Sequence, residues 1–163
     1  MSWIFEGKNI SSLNDIPKEY KDSFGFVYNI VCSNGKEYIG QKRLFTERSK
    51  VASQKQVKLK GKSFFRRKTI KSGKKKGDLK YYEVIKKESN WVNYTGSSKK
   101  LTDDIKKNGI TFTKYILCFC QDKTSLNYRE HKNIMCTSAM EEEKFYNDYT
   151  QIKVFKKNII NKR

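Results

Sequence analysis

Phe26-Val27-Tyr28-Asn29-Ile30-Val31-Cys32-Ser33-Asn34-Gly35-Lys36-Glu37-Tyr38-Ile39-Gly40 (FVYNIVCSNGKEYIG) decides how this chain is read. Phe24, Phe26, Tyr28, Ile30 and Cys32 alternate with their neighbours, as a strand with one buried face requires. Ser33-Asn34-Gly35 is a turn, and Lys36 to Gln41 is the returning strand. Loop length then fixes the face that Tyr38 takes. A two-residue loop, Asn34-Gly35, sets Tyr38 opposite Val31 and away from Tyr28. A three-residue loop with Gly35 in the left-handed region sets it opposite Ile30, on Tyr28's face and one diagonal step away. Two tyrosines brought together on one face of a hairpin suggest chemistry rather than packing, so the odd-length loop is expected.

Working outward, residues 1–23 are polar and irregular, contain the only proline, Pro17, and read as a lead-in draped over the core. Residues 42–53 are expected to form a helix in which Leu44, Arg48 and Val51 share a face. From Lys55 to Lys80 there are twelve lysines and arginines against the single acid Asp78, with Gly61, Gly73 and Gly77 and little periodicity. That segment reads as a basic insertion, spanning residues 53–90. Order resumes after Trp91 and Tyr94. Ser97 or Ser98 is a helix N-cap, Leu101 and Ile105 share a face, and Asn108-Gly109 is a stop. A third strand runs from Thr111 to Cys120. A further helix starts near Ser125 and carries Leu126, Glu130 and Ile134 on one face. The core is expected to end near residue 150, leaving 151–163 as a basic tail.

With 163 residues the chain has room for one ordinary domain, and its +19 charge and pI near 9.8 point to a polyanionic partner, nucleic acid first. Residues 55–80 hold +11 of that charge. No apolar run approaches the eighteen or so residues that span a bilayer, and the N-terminus carries no apolar signal region. Cys32, Cys118, Cys120 and Cys136 are therefore read as reduced thiols of a cytoplasmic protein. Cys118-Phe119-Cys120 lacks a matching Cys or His pair and lies in an apolar strand, which favours structural cysteines over a zinc site.

Two strand tyrosines, a helix-face arginine and a helix-face glutamate form a constellation beyond ordinary packing. Their order resembles the GIY-YIG nuclease family, most closely its phage homing-endonuclease branch. Phe26-Val27-Tyr28 stands where the family has GIY, and Tyr38-Ile39-Gly40 stands as YIG. Arg48 follows Gly40 at the spacing of the family's essential arginine, and Arg43 takes the basic position three beyond the glycine. Ser97 to Gly109 and Phe112 to Leu117 resemble the family's middle helix and third strand; Glu130 matches its metal-binding glutamate and Tyr146-Asn147 its closing Tyr-Asn pair. Ala52 stands where the family usually has histidine or tyrosine, and His131, the only histidine, matches no family position and reads as a solvated helix residue.

The resemblance, over residues 24–150, implies an α+β fold with a small three-stranded antiparallel sheet flanked by helices. It implies a phosphodiester hydrolase with Tyr28, Tyr38, Arg43, Arg48, Glu130 and Asn147 as catalytic residues. Mg²⁺, or another divalent ion such as Mn²⁺, is then held by Glu130. Arg48, with Arg43 or Lys42, would meet the non-bridging oxygens as charge builds. Tyr28 is the first choice of base and Tyr38 orients water or phosphate. The reverse assignment, and a tyrosine that only positions a metal-activated water, both stay open. Double-stranded DNA is the expected partner, met by Lys42 and by Lys58, Lys60, Lys62, Arg66, Arg67 and Lys68 of the insertion. For a phage-encoded enzyme the expected location is the host cytoplasm. A non-catalytic nucleic-acid-binding protein, and a restriction or repair nuclease of the same fold, are the alternatives.

Overall fold

The computed structural model describes residues 2–148. In chain order the elements are β1 (Trp3–Phe5), β2 (Lys8–Ile10), β3 (Gly25–Cys32), β4 (Glu37–Arg43), β5 (Phe45–Val51), α1 (Gln54–Lys60), β6 (Arg66–Thr69), β7 (Leu79–Glu88), α2 (Lys99–Lys107), β8 (Phe112–Cys120) and α3 (Lys123–Cys136). The α+β class holds. The chain divides into two compact units, one of residues up to Leu44 and from Asn90 onward, the other Phe45–Ser89.

The first unit is built on a five-stranded sheet in the order β2-β1-β8-β3-β4, not the expected three strands. The two extra strands come from the lead-in, which is not irregular. Glu6 and Gly7 both have positive φ and close a tight hairpin in which Phe5 pairs with Lys8 and Trp3 with Ile10. Trp3, Phe5, Ile10 and Ile16 are buried, so this segment is part of the core. β1 adds in parallel to β8, which runs antiparallel to β3.

Pleating gives this sheet two cores. Phe26 and Tyr28 meet Trp3 edge-on at 5.0 and 5.1 Å, and Trp91 joins Phe26 at 6.0 Å. The opposite face places Val27, Ile39 and Cys120 against Leu126 and Ile134 of α3 and against Ala139. The register of β3 on β8 shifts between Val27 and Tyr28, which pair with Cys118 and Ile116. Leu117 is thus the extra residue of a bulge beside Tyr28. α2 is capped by Ser98 and α3 by Asp122, whose side chain accepts from Thr124 and Ser125 N–H groups.

The second unit is a three-stranded sheet, β5-β7-β6, with α1. Residues 45–51 are therefore a strand, not the expected helix. The spacing of Leu44, Arg48 and Val51 fits a helix, but β5 pairs along its length with β7, from Phe45 opposite Glu88 to Val51 opposite Tyr82. That partner is distant in sequence and leaves no local trace. The basic stretch is likewise regular structure: β6 pairs with β7 from Arg66 opposite Tyr82 to Thr69 opposite Leu79. Val57 of α1 shares a hollow with Leu79 and Tyr81, and Lys60 pairs with Glu83 at 2.7 Å, so α1 lies on the odd-numbered side of β7. The other side carries Phe45, Glu47, Arg66, Lys68, Lys80, Tyr82 and Lys86.

Among the described residues no helix is long and apolar enough to cross a membrane. The expected basic tail, residues 151–163, lies outside the described residues.

Candidate active site

The β3–β4 hairpin closes through a three-residue loop. Cys32 N–H donates to Lys36 O at 2.8 Å, and Gly35 has φ +77°. Tyr38 consequently pairs with Ile30 and Tyr28 with Gly40, on the expected common face. The two rings lie 6.1 Å apart. Gly40 is what permits this: a Cβ there would stand 2.7 Å from Tyr28 Cζ and 3.1 Å from Tyr38 Cε1. The bare backbone forms a seat for the Tyr28 phenol.

The phenols differ in setting. Tyr28 is 1 % exposed, and burial, followed by the nearby Tyr38 and Tyr94, pushes its pKa well above 10. Its hydroxyl is hydrogen-bonded to Tyr94. Tyr38 is half-buried and shares a 2.9 Å hydrogen bond with Ser97 Oγ; its pKa is also raised, by burial first. Neither phenol ionises readily in this surround.

Glu130 comes from α3, which packs on β3, β4 and β8. Leu126 and Ile134 on the same helix face are buried and fix its rotation. One turn earlier Asn127 accepts from Gln41 Nε2 at 3.0 Å, and the nearby Gln41 backbone N–H lowers the pKa of the Glu130 carboxyl against the larger effect of burial. Burial raises that carboxyl to about 7, and the carboxylate lies within electrostatic reach of both Tyr28 and Tyr38. Among the described residues no cation pairs with it.

Asn147 does not offer a free amide to this cluster. Its Oδ1 accepts from Ile39 N–H at 3.0 Å and its Nδ2 donates to Ile39 O at 2.8 Å. Tyr146 N–H and Lys144 O pair with Glu37 in the same way, each at 2.8 Å, so residues 144–147 run along the outer edge of β4. Asn147 thus holds the residue between Tyr38 and Gly40. The Tyr146 hydroxyl donates to Asp104 at 2.6 Å and fastens that segment to α2.

Sequence reasoning missed Tyr94, Asn90 and Lys114. Tyr94 packs edge-on to Tyr28 at 6.1 Å, and Lys42 Nζ stands 3.8 Å from the Tyr94 ring centroid while donating to Asn90 Oδ1 at 2.8 Å. Lys114 is 1 % exposed; its Nζ donates to Val92 O at 2.6 Å and lies 4.4 Å from the Trp3 ring centroid. Burial lowers its pKa to about 8. An aromatic one residue beyond a Trp-Val-Asn run was the only available signal for Tyr94, and a lysine within an apolar strand for Lys114.

The expected cations fall on different elements. Arg43 pairs with Gly25, on the face opposite Tyr28, and lies 5.1 Å from the Phe24 ring centroid. Arg48 belongs to the second unit, exposed on β5 opposite Ile85. Lys58 and Lys60 lie on α1 with Lys62 just after it; Arg66 and Lys68 point to one side of β6 and Arg67 to the other. His131 is buried, not solvated, at 5 % exposure.

A family model described as "Putative endonuclease segE, GIY-YIG domain" matches residues 3–60 and 56–150. No curated protein and no solved structure matches the chain.

Proposed function

This chain belongs to the GIY-YIG endonuclease family, and from that premise we propose that it is a metal-dependent enzyme hydrolysing phosphodiester bonds of double-stranded DNA, of the free-standing phage homing type. The observation that carries the reading is the pairing of Tyr28 and Tyr38 on one face of the hairpin, their rings 6.1 Å apart, with the Glu130 carboxylate of α3 within electrostatic reach of both.

Glu130 suits a hard divalent ion. Its half-buried carboxylate has no cationic partner among the described residues, and an oxygen donor of this kind matches the preference of Mg²⁺. A bound Mg²⁺ would supply Lewis-acid polarisation of the phosphate and a more acidic water. Tyr28 and Tyr38, kept neutral by burial, serve as hydrogen-bonding groups that orient the attacking water and a phosphate oxygen. Tyr94 and Ser97 hold those hydroxyls in place. Asn147 acts as a positioning residue through Ile39.

The second unit supports a DNA-holding role. On the side opposite α1, Lys68 and Lys80 flank the Tyr82 ring at 5.4 and 5.9 Å, and Lys86 lies over Phe45 at 4.1 Å. Arg66, Lys68, Lys80 and Lys86 are all exposed. Such cations meet backbone phosphates and carry no sequence code themselves.

The test is nicking of supercoiled plasmid with and without Mg²⁺. Cleavage lost with chelator and in Glu130→Ala supports the nuclease. Retained DNA binding without cleavage under any divalent ion means a non-catalytic binding protein. Mapping cut ends across a phage genome then separates homing, with a few long sites, from restriction or repair.

A further inference from the structure

We propose that Lys42, seated on Tyr94 and bound by Asn90, is the cation that meets the scissile phosphate. The proposal rests on the nuclease reading above.

Phosphoryl-transfer sites need a fixed cation where negative charge builds on the non-bridging oxygens. The family resemblance gives that task to Arg48, with Arg43 or Lys42 beside it, and the helix expected to carry Arg48 is the strand β5. Side chains two apart on a strand share a face, so Tyr38, Gly40 and Lys42 point the same way from β4 and Arg43 the other. Lys42 is therefore the β4 cation on the side that holds Tyr28. The only other lysine pointing to that side from β8, Lys114, is engaged with Val92 O and Tyr94 O.

The setting of Lys42 lacks an anion. Its ammonium has one neutral acceptor, Asn90 Oδ1, and the face of Tyr94; it forms no ion pair among the described residues. Burial lowers its pKa, so the charge is held against a desolvation cost, and among the described residues no acid is paired with it. An ammonium has three donors, and one is used. Two remain for phosphate oxygens. Tyr94, which carries the ammonium, also packs on Tyr28, so the cation and the buried phenol share one support. Lys114 fixes the loop that bears this support.

The test compares wild type with Lys42→Met, Lys42→Arg and Asn90→Ala in single-turnover cleavage at saturating enzyme. DNA affinity is measured in Ca²⁺ and folding by thermal melts. Lys42→Met should lower the rate about 10²- to 10³-fold with affinity changed less than about threefold. Lys42→Arg should recover part of it, and Asn90→Ala should lose about tenfold. A phosphorothioate at the scissile position supplies a readout that a merely structural role would not move. The sulfur substitution and Lys42→Met should be non-additive, because both remove one contact. Additive losses, or Lys42→Met cleaving within about threefold of wild type, overturn the assignment. Should Lys42→Met fail to fold, a wild-type rate in Asn90→Ala together with no recovery in Lys42→Arg overturns it as well. Absence of metal-dependent cleavage in the wild type removes the nuclease reading and this assignment together.

Discussion

The Tyr28 phenol lies over the Cα of Gly40, where a Cβ would stand 2.7 Å from Tyr28 Cζ and closer still to the hydroxyl. The glycine of the YIG element is thus an absence of volume with a defined occupant. Gly40→Ala should force the buried ring or β4 to move, costing about 1–3 kcal/mol of stability and about 10²-fold in cleavage. Urea melts and plasmid nicking check both. Wild-type behaviour on both counts would show that the seat is not filled.

If Glu130 holds the ion as proposed, metal binding has a pH dependence with a fixed sign. A carboxyl held near 7 by burial is protonated below that pH, and the proton competes with the ion. Mn²⁺ affinity, followed by its EPR signal, should rise about tenfold per pH unit up to about pH 7 and then level off. In the metal-free protein the raised pKa acts against stability as pH climbs from about 4.5 to about 7, because the folded state must give up a proton that it binds more tightly than the unfolded chain does. Glu130→Gln should accordingly raise the metal-free melting temperature at pH 7.5 more than at pH 4.5, and should abolish Mn²⁺ binding at both.

The neutral assignment of Tyr28 makes a separate forecast. Tyr28→Phe should lower the single-turnover rate about 10²-fold while costing about 1 kcal/mol of stability through its lost hydrogen bond. Fluorotyrosine at position 28, a more acidic phenol, should leave the pH–rate profile where it was, whereas exchanging Mg²⁺ for Mn²⁺ should move it. A profile that follows the fluorotyrosine identifies Tyr28 as the base instead.

Neutralising Arg66, Lys68, Lys80 and Lys86 to glutamine should reduce the log–log slope of DNA affinity against salt by about 3.6, at about 0.9 per phosphate contact. The same change at Lys58, Lys60 and Lys62, on the α1 side, should alter it by less than about one. Fluorescence anisotropy over a salt series measures both. Equal effects would mean that the two sides of the β5–β7–β6 sheet are not distinguished by DNA.

Local rules carried the legible part of this fold. Gly35 must take a left-handed conformation, and that single requirement set the loop length and the shared face of Tyr28 and Tyr38. The i, i+4 spacing of Leu126, Glu130 and Ile134 located α3 for the same reason. What escaped depends on partners far along the chain. Trp3–Phe5 is too short to declare itself without β8 beside it, and β5 needs β7. The buried cation Lys114 and buried His131 contradict polarity patterns outright, since their burial is set by neighbours such as Trp3 and the Val92 carbonyl that no periodicity encodes.

The hydrogen bond from Lys42 to Asn90 joins the strand that precedes the Phe45–Ser89 unit to the first residue that follows it. An excursion whose exit and return are fastened together adds little closure entropy to its host, and that entropy grows only slowly with length. The segment can therefore be treated as a cassette. Joining Leu44 to Asn90 through a short glycine bridge, or splicing another module between them, should leave the β3–β4 pairing and the seat of Glu130 in place. On the proposed function, target choice would diversify by exchange of one spliced piece, while the hydrolytic site evolves under its own selection.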